Sequence, residues 1–225
     1  MIANWRRWLQ VVLLGIILPL ACDRASVLAQ PCSDAEVNAY IEQLKDYDSH
    51  DKTVSELAEC DGVLPELAAL LENSDREWQI NRGIIQTIGE IGGDNAVESL
   101  KLALKDKNLR IYASQALGEM GEEAKDAIPN LTEVLTSDNS SKSDRRVTAL
   151  SLGNIGVGND ETVKSLMDSL ETDDEKLYLI SIESLKKING GEDIVIHALK
   201  HQSLSPSKRV IYADILALKS LQSQR

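Results

Sequence analysis

Apolar residues recur along this chain in pairs of helical patterns. Three segments read alike: Thr87-Ile88-Gly89-Glu90-Ile91-Gly92, Ala116-Leu117-Gly118-Glu119-Met120-Gly121 and Ser151-Leu152-Gly153-Asn154-Ile155-Gly156. Each closes a helical pattern, and the last Gly of each suits a left-handed helix C-cap. A second pattern follows each one, with apolar residues at i, i+3 and i+7: Val97/Leu100/Leu104, Ile128/Leu131/Leu135 and Val163/Leu166/Leu170. Weaker copies flank the three. Upstream lie Val54 to Cys60 and Leu64 to Leu70; downstream lie Ser184 to Asn189, then Ile196 and Leu199, and a half-repeat containing Leu216. The equivalent aliphatic falls at positions 57, 88, 117, 152, 185 and 216, at spacings of 29 to 35 residues. A period of that size predicts an all-α fold, a right-handed α-solenoid of stacked antiparallel helical hairpins. One hairpin cannot bury its own stripe, so stacking makes the core continuous. No alternating strand pattern of useful length occurs.

Local signals place the helix ends. Ser33-Asp34-Ala35-Glu36 is a capping box opening a helix near residue 34. Asp75, Asn108 and Asp174 stand where N-caps belong, and Ser205-Pro206 reads as N-cap then N1. Pro65 and Pro129 fall near the first turn of a second helix, where proline is tolerated. Thr136 to Ser143 is polar and predicts a longer surface loop within one domain.

The first 30 residues stand outside this pattern. Arg6 and Arg7 precede an apolar run from Trp8 to Ala21, shorter than the roughly 20 residues a membrane span needs. Residues 1–29 are therefore expected to be a signal peptide, cut after Val27-Leu28-Ala29 to leave Gln30 first. Two alternatives stay open: a lipoprotein signal acylated at Cys22, with Pro19 where a Leu-like residue is usual, and an uncleaved anchor. The Arg6-Arg7 pair also fits a twin-arginine signal in part. The remaining chain divides into a capping helix over 30–50 and a solenoid over 51–225 of about five and a half repeats.

Composition narrows the chemistry. The chain has 225 residues, 24 Lys+Arg against 36 Asp+Glu and a net charge of −12, which argues against a nucleic-acid partner. Aromatics are 4 % and Phe is absent, so the core must be aliphatic, as thin helical layers allow. Of three cysteines, Cys22 is cut away or lipidated, leaving Cys32 and Cys60. Cys32 precedes the first helix and Cys60 ends the second. An antiparallel hairpin sets those ends side by side, so a disulfide is expected in an exported protein. No Cys-x-x-Cys motif is present to favour a redox role.

The run from Leu109 to Gly121, Leu-Arg-x-x-Ala-x-x-Ala-Leu-Gly-x-Met-Gly, resembles the HEAT-like repeats of the phycobilisome-lyase type. The resemblance covers roughly residues 50 to 220. It implies the HEAT-like fold strongly and function weakly, because such repeats serve scaffolds, chaperone-like factors, lyases and a hydroxylase alike. The repeat arginine stands at Arg110, Arg145 and Arg209, with Asn81 and Tyr178 in two copies. Those arginines form either a ligand-binding row or, more usually in such a stack, an internal ladder to neighbouring repeats.

Candidate chemistry is sparse. His197 and His201 share a helix face at i, i+4, a spacing that can bind metal, but no zincin Glu accompanies them. Repeat alignment places them opposite Lys164 and Asp168 on the solvated stripe. The hydroxylases of this repeat type hold iron with His-Glu pairs, and the chain has no His-Glu dipeptide. No phosphate loop and no nucleophile elbow appear. No catalytic residue, metal ligand or cofactor is assigned.

What remains is a surface. The second helices of successive repeats are expected to line the concave face. Their outward positions are Glu98, Lys101, Lys105, Asn130, Glu133, Lys164, Asp168 and Glu171, with Leu102 as an apolar spot. This mixed-charge face suits a protein partner better than a small molecule, which prefers a deep apolar pocket. The expectation is an exported, periplasmic or otherwise extracytoplasmic scaffold without catalysis, touching a membrane only through a lipidated or uncleaved N-terminus. The resemblance supplies the rival, a bilin lyase or lyase-like chaperone for antenna proteins. Such lyases act in the cytoplasm, against the leader pattern.

Overall fold

Ser33 opens the first helix. Its hydroxyl accepts from the Glu36 amide at 3.3 Å while Glu36 Oε2 accepts from the Ser33 amide at 2.8 Å. This reciprocal pair satisfies two amides that a helix start leaves open, and the Ser33 donors hold the Glu36 carboxyl below the usual carboxylate range. The computed structural model describes residues 31–73 and 75–188. They form ten α-helices: α1 Asp34–Gln43, α2 His50–Ala58, α3 Leu64–Leu71, α4 Trp78–Ile91, α5 Gly93–Ala103, α6 Arg110–Glu119, α7 Ile128–Thr136, α8 Lys142–Ile155, α9 Asp160–Asp168 and α10 Glu175–Lys187. A 3₁₀ segment, Gly121–Ala127, leads into α7, and another, Ser169–Glu171, follows α9. No strand occurs among the described residues. The leader, Cys22, His197, His201, the Ser205-Pro206 cap, Arg209 and Leu216 lie outside them.

Two rows of helices result. The first row is α2, α4, α6, α8 and α10; the second is α3, α5, α7 and α9, with α1 covering the N-terminal end. The repeat register is borne out by burial. Leu57, Ile88, Leu117, Leu152 and Leu185 are each 0 % exposed. The second-row stripes meet them in one core, with Leu100, Leu131, Leu166 and Leu170 fully buried. The five aliphatics occupy one layer through the stack, so each repeat buries its stripe only against its neighbours.

The glycines divide their work. Gly92, Gly121 and Gly156 have φ of +71°, +62° and +73° at or just beyond helix ends, where an L side chain would be strained. The inner glycine of the motif does something else. A Cβ on Gly118 would lie 2.7 Å from the Ser151 Cα, and one on Gly153 would lie 2.6 Å from the Ser184 Cα. At Gly89 the Ala116 Cβ would stand at 3.2 Å. Helices α6, α8 and α10 therefore touch backbone to backbone at Gly118 and Gly153, and α4 meets α6 less closely at Gly89.

Some helix starts differ from expectation. Asp174 is the N-cap of α10, accepting from the Lys176 and Leu177 amides. Asp75 and Asn108 are not caps: α4 starts at Trp78 after Glu77, and α6 starts at Arg110 after Leu109. Their places are taken by turns in which Asn73 and Asp106 side chains accept the Asp75 and Asn108 amides. The loop expected over Thr136 to Ser143 is shorter, because Ser141 and Asp144 form a second capping box that starts α8 at Lys142. Pro65 and Pro129 occupy the first turns of α3 and α7.

Cys32 and Cys60 are joined by a disulfide, with Cα atoms 5.2 Å apart. The bond ties the entry of α1 to the exit of α2.

Candidate partner surface

The second-row helices are short and set apart, and open clefts run between them. One of about 540 Å³ separates α3 from α5; Pro65, Ala68 and Ala69 face Leu102 and Ala103 across it. Leu102 is 58 % exposed at this opening. A second cleft, about 340 Å³, lies between α5 and α7. Lys101, Lys105, Asn130 and Glu133 all line it. Four of the eight residues picked out by sequence thus come together around one opening. Glu98 sits beside them, paired with Lys101 at 2.7 Å. Lys164, Asp168 and Glu171 line neither cleft.

The first row packs differently. Helices α6, α8 and α10 lie against each other at Gly118 and Gly153, while a cleft of about 340 Å³ remains between α2, α4 and α6, lined by Val54, Ser55, Gln86, Gly89 and Ala116. The eight surface residues all belong to the second-row helices or to the short segments that directly follow them.

The arginines stitch repeats together. Arg110 Nε donates to the Leu104 carbonyl at 2.9 Å, and Arg145 Nη2 donates to the Ser137 carbonyl at 3.2 Å. Each closes the C-terminal end of the preceding second-row helix, where carbonyls lack helical partners and a cation meets the negative end of the dipole. Arg76 does the same for α3, donating to the Leu70 and Asn73 carbonyls at 2.5 and 2.7 Å. Periodicity had left that copy without an arginine because Asn81 holds the aligned position.

Arg110 Nη1 also reaches the Asp144 carboxylate of the next repeat at 4.0 Å, and a closer ion pair between repeats is made by Arg146, the residue after Arg145. Its Nε and Nη2 grip Asp174 at 3.0 and 2.8 Å in the fork geometry that suits a carboxylate. Asp174 is 7 % exposed. The Arg146 donors, followed by the Leu177 amide, hold its carboxyl below the usual range. Among the described residues no three His, Cys, Asp or Glu side chains stand close enough to hold a metal ion.

One feature escaped the sequence patterns. Tyr47 and Trp78 are 89 % and 57 % exposed, and both line a cleft of about 310 Å³ at the N-terminal end of the stack. They lie in different repeats, so no motif joins them. The available signal was rarity: Trp78 is the sole tryptophan after residue 8, and it stands one helical turn before Arg82.

Comparison with known families agrees with this architecture. Residues 64–142, from α3 to the start of α8, match the family described as HEAT repeats. That stretch is similar to HEAT repeats in sequence, and its stacked helical hairpins are HEAT-like in form. It includes the Leu109 to Gly121 run. No curated protein matches the chain.

Proposed function

We propose that this protein is an exported helical-repeat scaffold that binds a protein partner on its second row of helices and performs no catalysis itself. The observation that carries the proposal is the α5–α7 cleft, where Lys101, Lys105, Asn130 and Glu133 converge, with the exposed Leu102 on the other side of α5 at the α3–α5 cleft. HEAT repeats commonly mediate protein–protein interaction, and mixed charge around an apolar spot suits a protein surface. Export is supported by the Arg6/Arg7 and apolar leader pattern. The Cys32–Cys60 bond agrees with it, since such bonds persist in oxidising compartments.

The test is affinity capture from the native envelope with the wild-type chain and with the charge-reversed pair Lys101→Glu and Glu133→Lys. The account expects a protein held by the wild type and lost from the variant. Equal retention by both would remove the cleft from the interface. The repeat resemblance alone favours a second reading, a bilin lyase or lyase-like chaperone for antenna proteins. Cell fractionation separates the two: the scaffold belongs in an extracytoplasmic fraction with its leader removed, and the lyase in the cytoplasm.

A further inference from the structure

We propose that the cleft between the α1–α2 turn and the start of α4 binds a proline-rich segment of a partner protein in the polyproline II conformation. Tyr47, His50 and Asp51 form one wall; Trp78, Gln79 and Arg82 form the other. The site contains none of the eight second-row residues, so it stands apart from the surface proposed above.

The walls are fixed before any ligand arrives. His50 is buried beneath the turn. Its Nδ1 donates to the Leu44 carbonyl at 3.0 Å, and its Nε2 meets the Gln86 side-chain amide at 2.6 Å. Leu44 in turn packs against Gly83 of α4, where a Cβ would come within 2.6 Å of Leu44 Cδ2. The turn is therefore pinned to α4, and little ordering remains to oppose binding.

Exposure at the rim runs the other way. The rings of Tyr47 and Trp78 stand in solvent, in a chain where aromatics are 4 % of residues. Tyr, Trp and Arg are the side chains that most often dominate protein interfaces, and all three meet here.

Hydrogen-bonding balance selects the ligand. The Tyr47 hydroxyl, the Trp78 indole N–H and the Arg82 guanidinium have no partner among the described residues. Indole and guanidinium are donors only. Lys45, at the same cleft, is already occupied by Glu42 at 2.9 Å and Glu77 at 3.1 Å. The cleft thus offers unspent donors and flat apolar faces. Proline brings a carbonyl, a compact apolar ring and no N–H. In polyproline II every carbonyl is open to an outside donor, and aromatic-lined grooves dock such segments elsewhere. A neutral saccharide brings donors as well as acceptors and matches the surplus less well. Asp51, at the cleft, and Asp48, on the turn beside it, are exposed and carry no ion pair among the described residues. They complement a Lys or Arg flanking the prolines.

The test uses the full chain and a fluorescein-labelled peptide of consecutive prolines ending in two arginines, read by anisotropy. A peptide with alanines in place of the prolines is the control. The proline probe should bind and the alanine probe should not. Trp78→Ala and Tyr47→Ala should each weaken binding about tenfold or more, while Asp51→Asn weakens it less and flattens its salt dependence. Lys101→Glu should leave it unchanged. Circular dichroism confirms that the variants fold. Absence of binding up to about 1 mM probe, equal binding of the alanine probe, or indifference to both aromatic substitutions would overturn the proposal. So would quenching of Trp78 fluorescence by maltoheptaose in the absence of proline-probe binding, which would give the cleft to a glycan.

Discussion

The first-row helices α6, α8 and α10 touch through Gly118 and Gly153, and the second-row helices α3, α5 and α7 stand apart with clefts between them. Both rows bury nearly all of their aliphatic stripes, with Val163 partly buried, so the hydrophobic core does not distinguish them. Backbone approach does. Gly118 against Ser151 and Gly153 against Ser184 leave no space for a side chain, whereas Leu102 on the second row faces an open cleft. One row therefore sets the spacing of the stack. The other is left with exposed side chains over gaps, where a partner can dock without disturbing the repeat-to-repeat contacts.

The sharpest way to break this contrast is to empty the shared core. Leu117→Ala or Leu152→Ala should cost about 2–5 kcal/mol, from lost transfer energy plus the cavity left behind. Leu102→Ala, on the open second-row face, should change stability by no more than about 0.5 kcal/mol. Urea denaturation reads both. A loss below about 1 kcal/mol at Leu117 would mean that the layer of central aliphatics is wrongly registered.

The N-terminal end of the first row has a covalent tie. The Cys32–Cys60 bond spans a sequence separation of 28 and is worth about 3–4 kcal/mol in the chain-entropy picture. Reduction should speed hydrogen exchange over residues 31–72 and leave residues 76–171 protected, because stack contacts are between nearest neighbours. If thiol reagents label both cysteines in the native exported protein, the bond is absent in the cell and packing alone holds the cap.

A milder probe acts on the glycine contacts themselves. Gly118→Ala or Gly153→Ala should destabilise by about 1–3 kcal/mol through overpacking, although alanine is the better helix former. A neutral or stabilising outcome would show that the first row is looser than described.

The smallest effect concerns the Arg146–Asp174 clasp. With Arg146 partly exposed, Asp174→Asn should cost on the order of 1 kcal/mol at neutral pH. The Asp174 carboxyl titrates below its unfolded range in the folded chain. Its contribution is therefore complete above about pH 4, and it is lost as pH falls through the lowered folded value. The stability gap between wild type and variant should close on acidification. A gap independent of pH would mean that the aspartate contributes as a helix cap and not as a charge.

Much of this architecture was legible in the sequence. The aliphatic at 57, 88, 117, 152 and 185, the terminal glycines and the Ser33 capping box are local signals, and each lands where its pattern put it. What the sequence hid depends on neighbours. The inner glycine of each motif looks like a weak helix residue until the next repeat's backbone is laid against it. Arg76 replaces the aligned Asn81 because a guanidinium can reach the same carbonyl end from another position on the chain. Four residues of the second-row surface were found by their outward register, while the Tyr47–Trp78 cleft needed a fold to bring two exposed rings together.

Native-state hydrogen exchange, resolved by helix on the oxidised chain, tests the contrast between the rows most directly. The account predicts that amides in the middle of α6 and α8 open only with the whole stack. Those of α5 and α7, beside the clefts, should exchange at least about tenfold faster through local opening. Equal protection in the two rows, or slower exchange in α5 and α7, would contradict the assignment of stability to the glycine-packed row and of recognition to the open one.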